Sequence, residues 1–236
     1  MPIHVHPTAE LAPDVLLPGD PGRALMLAQH LLEAPRMFNH NRGLWGYTGR
    51  TPEGEQLTIQ ATGMGSPSAA IVFAELADLG IERAIRVGTC GALDPEFGLG
   101  EVIVATEALA VDGTSAALGG ERVRTGDAGL GAALARGARS SGTRIVSTDL
   151  FYDPDPERER GWRSEGARAV EMEAAALFTL GRERGVRTGC VLVVSDLVAE
   201  RQRIDAEELE RRAKAMGDAA LAALRDDQSG VTSSEA

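Results

Sequence analysis

The sequence has no apolar run that approaches the ~20 residues needed to cross a bilayer. Its first residues, MPIH, also lack the features of a signal peptide, and we therefore expect a cytoplasmic protein. Internal repeats and linker-like changes of composition are absent as well. We predict a single domain over residues 1–225, followed by a small, polar and disordered tail over residues 226–236.

Cysteine and positive charge are scarce. The two cysteines, Cys90 and Cys190, lie in apolar segments typical of strands, which favours buried free thiols over a disulfide or a metal site. The net charge is -11 and no continuous basic stripe occurs, which argues against nucleic acid or an anionic membrane as a partner. Since salt screens exposed charges beyond roughly 8 Å, local arginines would have to hold any anionic substrate.

A complete dinucleotide-binding fingerprint is missing too. Residues 63–68 (GMGSPS) contain two closely spaced glycines after an apolar segment, but the third glycine is lacking. An acidic residue at a convincing distance downstream is also lacking. The sequence therefore argues against a nicotinamide cofactor.

What is present is an alternation of strand-like and helix-like segments. The pattern predicts strands at 15–17, 84–87, 102–105, 144–147 and 188–195, and a hairpin over 45–61 that turns at 52–54. It predicts helices at 23–32, 66–79, 128–141, 173–184 and 206–224, with Ser66 as an N-cap before Pro67. Such alternation is typical of an α/β fold, a three-layer sandwich in which helices cover both faces of a mixed, largely parallel sheet.

Two predicted strand ends combine arginine with glycine. Residues 16–23 (LLPGDPGR) run from a strand into a turn that ends at Arg23, and residues 86–91 (RVGTCG) repeat the combination at Arg86. Unpaired amides of such turns, beside a guanidinium, can bind phosphate. Because ligands bind at the carboxyl ends of strands in this architecture, we predict one anion held from both sides. Arg42, beside another glycine, is a third candidate.

Carboxylates follow two further segments. Glu171 and Glu173 share a face if the chain is extended there, and a carboxylate that accepts two hydrogen bonds suits the ribose 2′,3′ diol. A charge pair at a helix start is the alternative. Asp196 ends the most apolar strand, where partial desolvation suits a proton donor, although an N-cap is again an alternative. Phe151 could stack on a planar base or belong to the core.

Together these motifs resemble the nucleoside phosphorylase-I family, specifically the bacterial hexameric purine nucleoside phosphorylases. The matching segments follow the order and spacing of that family over nearly the whole chain. They are 3–5 (IHV), 17–23 (LPGDPGR), 42–49 (RGLWGYTG), 62–65 (TGMG), 86–91 (RVGTCG), 151–152 (FY), 170–175 (VEMEAA) and 195–196 (SD).

The resemblance implies phosphorolysis of purine ribo- or deoxyribonucleosides in purine salvage, with inorganic phosphate as co-substrate and without a metal or other cofactor. Asp196 would protonate the purine at N7, while Arg23 and Arg86 act on the phosphate. The implied phosphate-binding residues are Gly19, Arg23, Arg86, Thr89 and, from a neighbouring subunit, Arg42. The implied ribose-binding residues are Met64, Met172, Glu173 and, from the neighbour, His4, with His6 as the alternative. The implied base-binding residues are Cys90, Gly91, Phe151, Val170, Glu171, Ser195 and Asp196.

The resemblance also implies a homo-oligomer, with a dimer as the minimal active unit and dimers assembled into a hexamer. One position departs from the pattern. Several relatives carry an arginine on the C-terminal helix that turns toward the catalytic aspartate, and this sequence has Leu209 there. The charged residues alongside are Glu208, Glu210, Arg211 and Arg212. The segment 108–125 does not match the family residue by residue.

Three alternatives to a purine nucleoside phosphorylase remain. Uridine phosphorylases of the family carry an insertion with glutamine and arginine between the Phe-Tyr and Glu-Met-Glu segments, whereas residues 151–171 contain no glutamine here. A hydrolytic nucleosidase would have no use for the two arginines, and a non-catalytic nucleoside-binding module would bind without turnover. The preference between 6-oxo and 6-amino purines, and between ribose and deoxyribose, stays open.

Overall fold

Strands and helices alternate along the chain in the computed structural model, which describes residues 2–232. The strands are β1 (Asp14–Leu17), β2 (Glu33–Asn39), β3 (Gly46–Arg50), β4 (Gln56–Gln60), β5 (Arg83–Ala92), β6 (Val102–Ala110), β7 (Val123–Thr125), β8 (Gly142–Ser147), β9 (Ala169–Glu171), β10 (Arg187–Leu197) and β11 (Gln202–Arg203). The helices are α1 (Pro21–Leu31), α2 (Ser66–Asp78), α3 (Gly113–Leu118), α4 (Ala128–Ala138), α5 (Glu157–Ser164), α6 (Ala174–Arg184) and α7 (Ala206–Thr232).

In the described part of the chain, these strands form one mixed sheet of 11 strands. Its centre is parallel, with β4, β1, β5 and β10 side by side, and the antiparallel strands β3 and β2 extend it beyond β4. On the other side, β10 pairs with β6, and the pairing continues through β8 and β9 back to β5. These pairings close a ring, which holds the ends of β5, β9 and β10 together.

Helices cover both faces of the sheet. Leu16 of β1 packs in a buried cluster with Leu27 of α1 and Met216 of α7. Its neighbours Val15 and Leu17 point to the opposite face, where they share a cluster with Phe73 of α2. Burial on both faces explains why the strand is a continuous apolar run rather than an alternating one. The predicted three-layer α/β fold is confirmed.

The end of α7 is anchored at the amino ends of the central strands. The Asp227 carboxylate lies 3.0 Å from Nη1 of Arg83 and 2.6 Å from Nη1 of Arg187, and Arg83 also contacts Asp14 at 2.6 Å. Burial alone would raise the pKa of Asp227, but hydrogen bonds from Arg187 and Arg83 outweigh it and hold the pKa below its usual value. Helix α7 continues to Thr232, so residues 226–232 of the expected disordered tail are helical. Residues 233–236 lie outside the described residues.

The start of α2 differs from the prediction. Gly65, at φ +85°, occupies the N-cap position, and Ser66 is the first helical residue. The Ser66 hydroxyl donates to the carbonyl oxygen of Met172 at 2.8 Å instead of capping the helix. The prediction of Ser66 as a cap is wrong because a tertiary contact takes its side chain.

Over residues 2–232, no helix is long and apolar enough to cross a membrane. The same residues contain no cluster of three or more histidine, cysteine, aspartate or glutamate side chains that could hold a metal ion.

Candidate active site

A buried ion-pair cluster lies at the centre of the candidate site. Arg86 of β5 donates from Nε to Oε2 of Glu171 at 2.8 Å, and its Nη2 lies 2.5 Å from Oε2 of Glu173. Burial by itself would lower the pKa of Arg86, but the charges of Glu173 and Glu171 outweigh it and raise the pKa above the usual value. Both glutamates therefore share one guanidinium, in agreement with the shared face expected from their spacing.

A second arginine comes close to this cluster. Arg23 lies in the first turn of α1, which Asp20 caps by accepting from the Gly22 amide at 2.9 Å. Burial lowers the pKa of Arg23, Asp20 opposes that shift, and the charge of Arg86 reinforces it. The charges of Arg23 and Arg86 thus act on each other. An anion bound between the two guanidinium groups would offset this repulsion.

The turn before α1 packs against a second glycine turn. A Cβ atom on Gly19 would lie 3.1 Å from the carbonyl oxygen of Gly63, and the Thr62 amide donates to the carbonyl oxygen of Pro18 at 2.9 Å. The predicted phosphate turn and the segment 62–65 are therefore adjacent. This close approach explains the need for glycine at position 19.

Glu171 is fully engaged within the protein. Its carboxylate accepts from the Ser147 hydroxyl, from the Glu173 amide at 2.8 Å and from the Ala174 amide at 3.0 Å, in addition to Arg86. It therefore holds both Arg86 and the first turn of α6. We expected Glu171 among the base-binding residues, whereas its partners here give it a supporting position. Sequence reasoning missed Ser147, which has no motif to mark it.

Glu173 connects the cluster to the predicted ribose residues. Its Oε1 accepts from the Gly65 amide at 2.6 Å, while Oε2 contacts Arg86. Burial raises the pKa of Glu173, Arg86 opposes the rise, and Glu171 adds to it. Met64, 86% exposed, lies in the same turn as Gly65, and Met172 is joined to α2 through Ser66. The structure thus brings Met64, Met172 and Glu173 together.

Most of the predicted base-binding residues meet where β5, β9 and β10 end, whereas Phe151 is exposed and packs against Tyr152. Gly91 is paired with Val170 on one side and with Asp196 on the other, across a bulge in β10. A Cβ atom at Gly91 would lie 2.8 Å from Cγ2 of Val198 and 3.3 Å from Cγ1 of Val170, so only glycine fits. The Ser195 hydroxyl lies 3.3 Å from the carbonyl oxygen of Cys90.

Both cysteines are free and buried, as predicted. Burial raises the pKa of the Cys90 thiol, and the same cause raises that of Cys190. The thiols are therefore neutral, and each acts as a small apolar side chain. Thr89, which precedes Cys90 in β5, is partly exposed and lies opposite Val193.

Asp196 has two partners at its carboxylate. The Ser195 hydroxyl donates to Oδ2 at 2.7 Å, and Nε of Arg203 in β11 lies 3.4 Å from Oδ1. Sequence reasoning missed Arg203, because the pairing of a two-residue strand leaves no periodic signal. Leu209, by contrast, packs against the buried cluster that contains Met216.

His4 and Arg42 lie together on the surface. The Asn41 side chain donates to the carbonyl oxygen of His4 at 3.1 Å, and Arg42, the next residue, is exposed in a left-handed conformation at φ +56°. Nδ1 of His4 lies 2.8 Å from Oε1 of Glu75, which leaves Nε2 for a ligand. The His6 side chain is exposed, as is Phe151, which packs edge-on against Tyr152 with ring centroids 5.0 Å apart.

A family model described as "Phosphorylase superfamily" matches residues 13–225. The chain belongs to the phosphorylase superfamily. This confirms the family expected from the motifs.

Two curated relatives of this phosphorylase-superfamily chain are named "Purine nucleoside phosphorylase DeoD-type". That of Geobacillus kaustophilus is 37% identical over 236 residues, covering 96% of this chain and 99% of the relative. That of Caldanaerobacter subterraneus subsp. tengcongensis is 36% identical over 224 residues, covering 89% and 94%. A solved uridine phosphorylase from Vibrio fischeri ES114, in complex with 6-hydroxy-1-naphthoic acid, has a TM-score of 0.79 and 28% identity over 91% of this chain and 90% of that chain.

Proposed function

We propose that this phosphorylase-superfamily member cleaves purine ribo- or deoxyribonucleosides with inorganic phosphate, releasing the free base and ribose or deoxyribose 1-phosphate, as part of purine salvage in the cytoplasm. The observation that carries the proposal is the convergence of Arg23, Arg86 and Glu173 beside the end of β1, where Leu17 is paired with Arg86 of β5. Two cations suited to a phosphate lie beside a buried carboxylate suited to the ribose hydroxyls.

The chemistry follows from the charges that develop as the N-glycosidic bond breaks. Positive charge grows on the ribose and is stabilised by the phosphate, which Arg23, Arg86, Thr89 and the Gly19 amide hold. Negative charge grows on the purine, and Asp196 removes it by donating a proton to N7. General-acid catalysis of this kind contributes about 10²–10⁴ in rate, and preorganised cations add further stabilisation of the transition state.

We assign the sugar and base contacts to the residues that surround this cluster. Glu173 accepts from the 2′ and 3′ hydroxyls, and Met64 and Met172 pack on the ribose. The base lies against Cys90, Gly91, Phe151 and Val170, with Ser195 beside Asp196. Glu171 serves by positioning Arg86, since both of its oxygens have protein partners.

We further propose that each site is completed by a neighbouring subunit within a dimer-based hexamer. The common position of His4 and Arg42 supports this, because one surface can deliver both side chains together. Nε2 of His4, with Nδ1 directed at Glu75, can accept from the 5′ hydroxyl of the neighbour's substrate. Arg42 would reach the neighbour's phosphate.

Uridine phosphorylase is the second candidate, since a solved uridine phosphorylase has the same fold. The segment that would read uracil argues against it. Residues 151–171 contain no glutamine, and α5 occupies this part of the chain. The curated relatives that are 36–37% identical are also named for purine nucleosides.

A substrate panel tests the proposal. Inosine, guanosine, adenosine and uridine are assayed with and without phosphate, and we expect phosphate-dependent turnover of at least one purine nucleoside. Asp196→Asn, purified in parallel, is the control for contaminating host enzymes and should lose about 10²–10⁴ in rate. Turnover without phosphate would indicate a nucleosidase, and a preference for uridine would indicate the second candidate.

A further inference from the structure

Arg203 lies beside Asp196 because of backbone pairing. In the antiparallel pair β10–β11, Asp196 is directly opposite Arg203 and Leu197 is opposite Gln202. Residues directly opposite in such a pair have Cβ atoms about 4.5–5.5 Å apart on the same face. The position of Arg203 is thus a property of the strand register.

The chain that carries Arg203 is fixed on its far side. The Ile204 amide donates to the carbonyl oxygen of Ser195 at 2.9 Å, and the Ile204 side chain is buried. Strand β11 is therefore tied to the residue that precedes Asp196. The Arg203 side chain is itself 69% exposed, while that of Asp196 is 28% exposed, so the pair is open to solvent.

The other arginines nearby have different partners. Arg211 and Arg212 of α7 both pair with Glu208. Leu209, on the same helix, packs into the apolar core. Among the described residues, Arg203 is the one cation recorded in an ion pair with Asp196.

We propose, on the basis of the proposed function, that Arg203 is a positioning residue for the general acid. It orients the Asp196 carboxyl and stabilises the negative charge that Asp196 acquires when it gives up its proton. In that step the O–H bond of Asp196 breaks and an N7–H bond forms, while the C1′–N9 electron pair leaves with the base. A phosphate oxygen forms the new bond to C1′. The base departs neutral, Asp196 is left anionic beside Arg203, and the proton of the phosphate group then restores the acid.

A double-mutant cycle on the full-length enzyme tests this role. Arg203→Ala should lower kcat for the purine nucleoside found in the panel by roughly five-fold, since a partly exposed pair is a weak one. In the Asp196→Asn background the same change should have no further effect, because Arg203 acts through the carboxyl. The KM for phosphate should be unchanged, and Arg203→Lys should recover most of the rate.

Two controls separate this role from a structural one. Arg201→Ala removes a neighbouring exposed arginine and should leave kcat unchanged. 7-Methylguanosine needs no proton at N7, so its turnover by Arg203→Ala should stay within about twofold of wild type. Equal losses in both backgrounds, or an unchanged kcat in Arg203→Ala, would overturn the inference. If wild-type enzyme turns over no purine nucleoside with phosphate, the proposed function fails instead.

Discussion

Arg86 and Arg23 differ in what surrounds them, although both are assigned to the phosphate. Arg86 is buried between two carboxylates, whereas Arg23 has a cationic neighbour, Arg86, besides the carboxylates of Asp20 and Glu173. Removing one partner of a buried ion pair leaves an uncompensated charge and is strongly destabilising. The two positions should therefore respond differently to the same substitution.

We predict that Arg23→Ala raises the KM for phosphate about ten- to a hundredfold, the worth of a charge-assisted hydrogen bond, and leaves thermal stability unchanged. Arg86→Ala should lose the same function and also about 3–5 kcal/mol of unfolding free energy. Steady-state kinetics and urea unfolding provide the measurements. Arg122→Ala, which breaks an exposed pair with Glu165, is the control for a surface arginine. Equal stability of the Arg23 and Arg86 variants would contradict the burial argument.

Single residues were predictable from sequence where a motif surrounds them. Arg23, Arg86 and Glu173 stand in glycine-rich or acidic segments, and the structure brings these three together. The strand end expected after Arg86 is wrong, because β5 continues to Ala92 and Arg86 lies within it. Ser147 and Arg203 were not predictable, because their partners are set by the pairing of β8 with β9 and of β10 with β11. Those registers depend on tertiary contacts that no local pattern records.

At the scale of elements, long and strongly patterned segments were predictable and short or polar ones were not. β10 and α7 have clear apolar patterns, and both were expected. β2 lacks a two-residue period and contains Pro35, β9 has three residues, and α5 is almost entirely polar. These three elements owe their form to neighbours in the fold rather than to their own composition.

The anchor of α7 gives a pH-dependent prediction. The pKa of Asp227 is held below its usual value of 3.8, so the stabilisation is present above that value and is lost as the pH falls through the lower, folded pKa. Asp227→Asn should therefore lower the unfolding free energy at pH 7, by about 3–5 kcal/mol, and the difference from wild type should shrink below about pH 4. Urea unfolding at pH 7 and pH 3 measures both effects.

Asp226 offers the matched control for this anchor. It is the adjacent residue on α7 but pairs with Arg136 at the surface, where its side chain is 51% exposed. Asp226→Asn should change stability by less than about 1 kcal/mol. If both variants behave alike at pH 7, the buried pairs of Asp227 do not anchor the helix.

At the scale of the whole molecule, the shared surface of His4 and Arg42 predicts that activity requires a subunit interface. The Arg42→Ala variant lacks the arginine that would enter the neighbouring subunit's site. The Glu173→Gln variant lacks the carboxylate that would act within its own site. Each variant alone should be nearly inactive. After subunit exchange, a mixed pair should recover a fraction of wild-type activity, because one of its two sites is complete.

The control mixture combines Arg42→Ala with His4→Ala. Both variants lack a donated residue, so every mixed site still misses one, and no recovery is expected. Subunit exchange is verified by mass spectrometry before activity is read. Recovery in the control, or none in the Arg42 and Glu173 mixture after proven exchange, would argue that each chain forms its own complete site.

The two contacts of the Glu173 carboxylate also affect how phosphate and nucleoside influence each other's binding. In the free chain its oxygens are taken by the Gly65 amide and by Arg86, so a ribose diol must compete with contacts already made. Under the proposed function, a bound phosphate gives Arg86 another anion and loosens its hold on Glu173. Phosphate then lowers the free energy needed to bind nucleoside, and by thermodynamic reciprocity nucleoside does the same for phosphate. The ion pair thereby makes the two substrates bind cooperatively within one site.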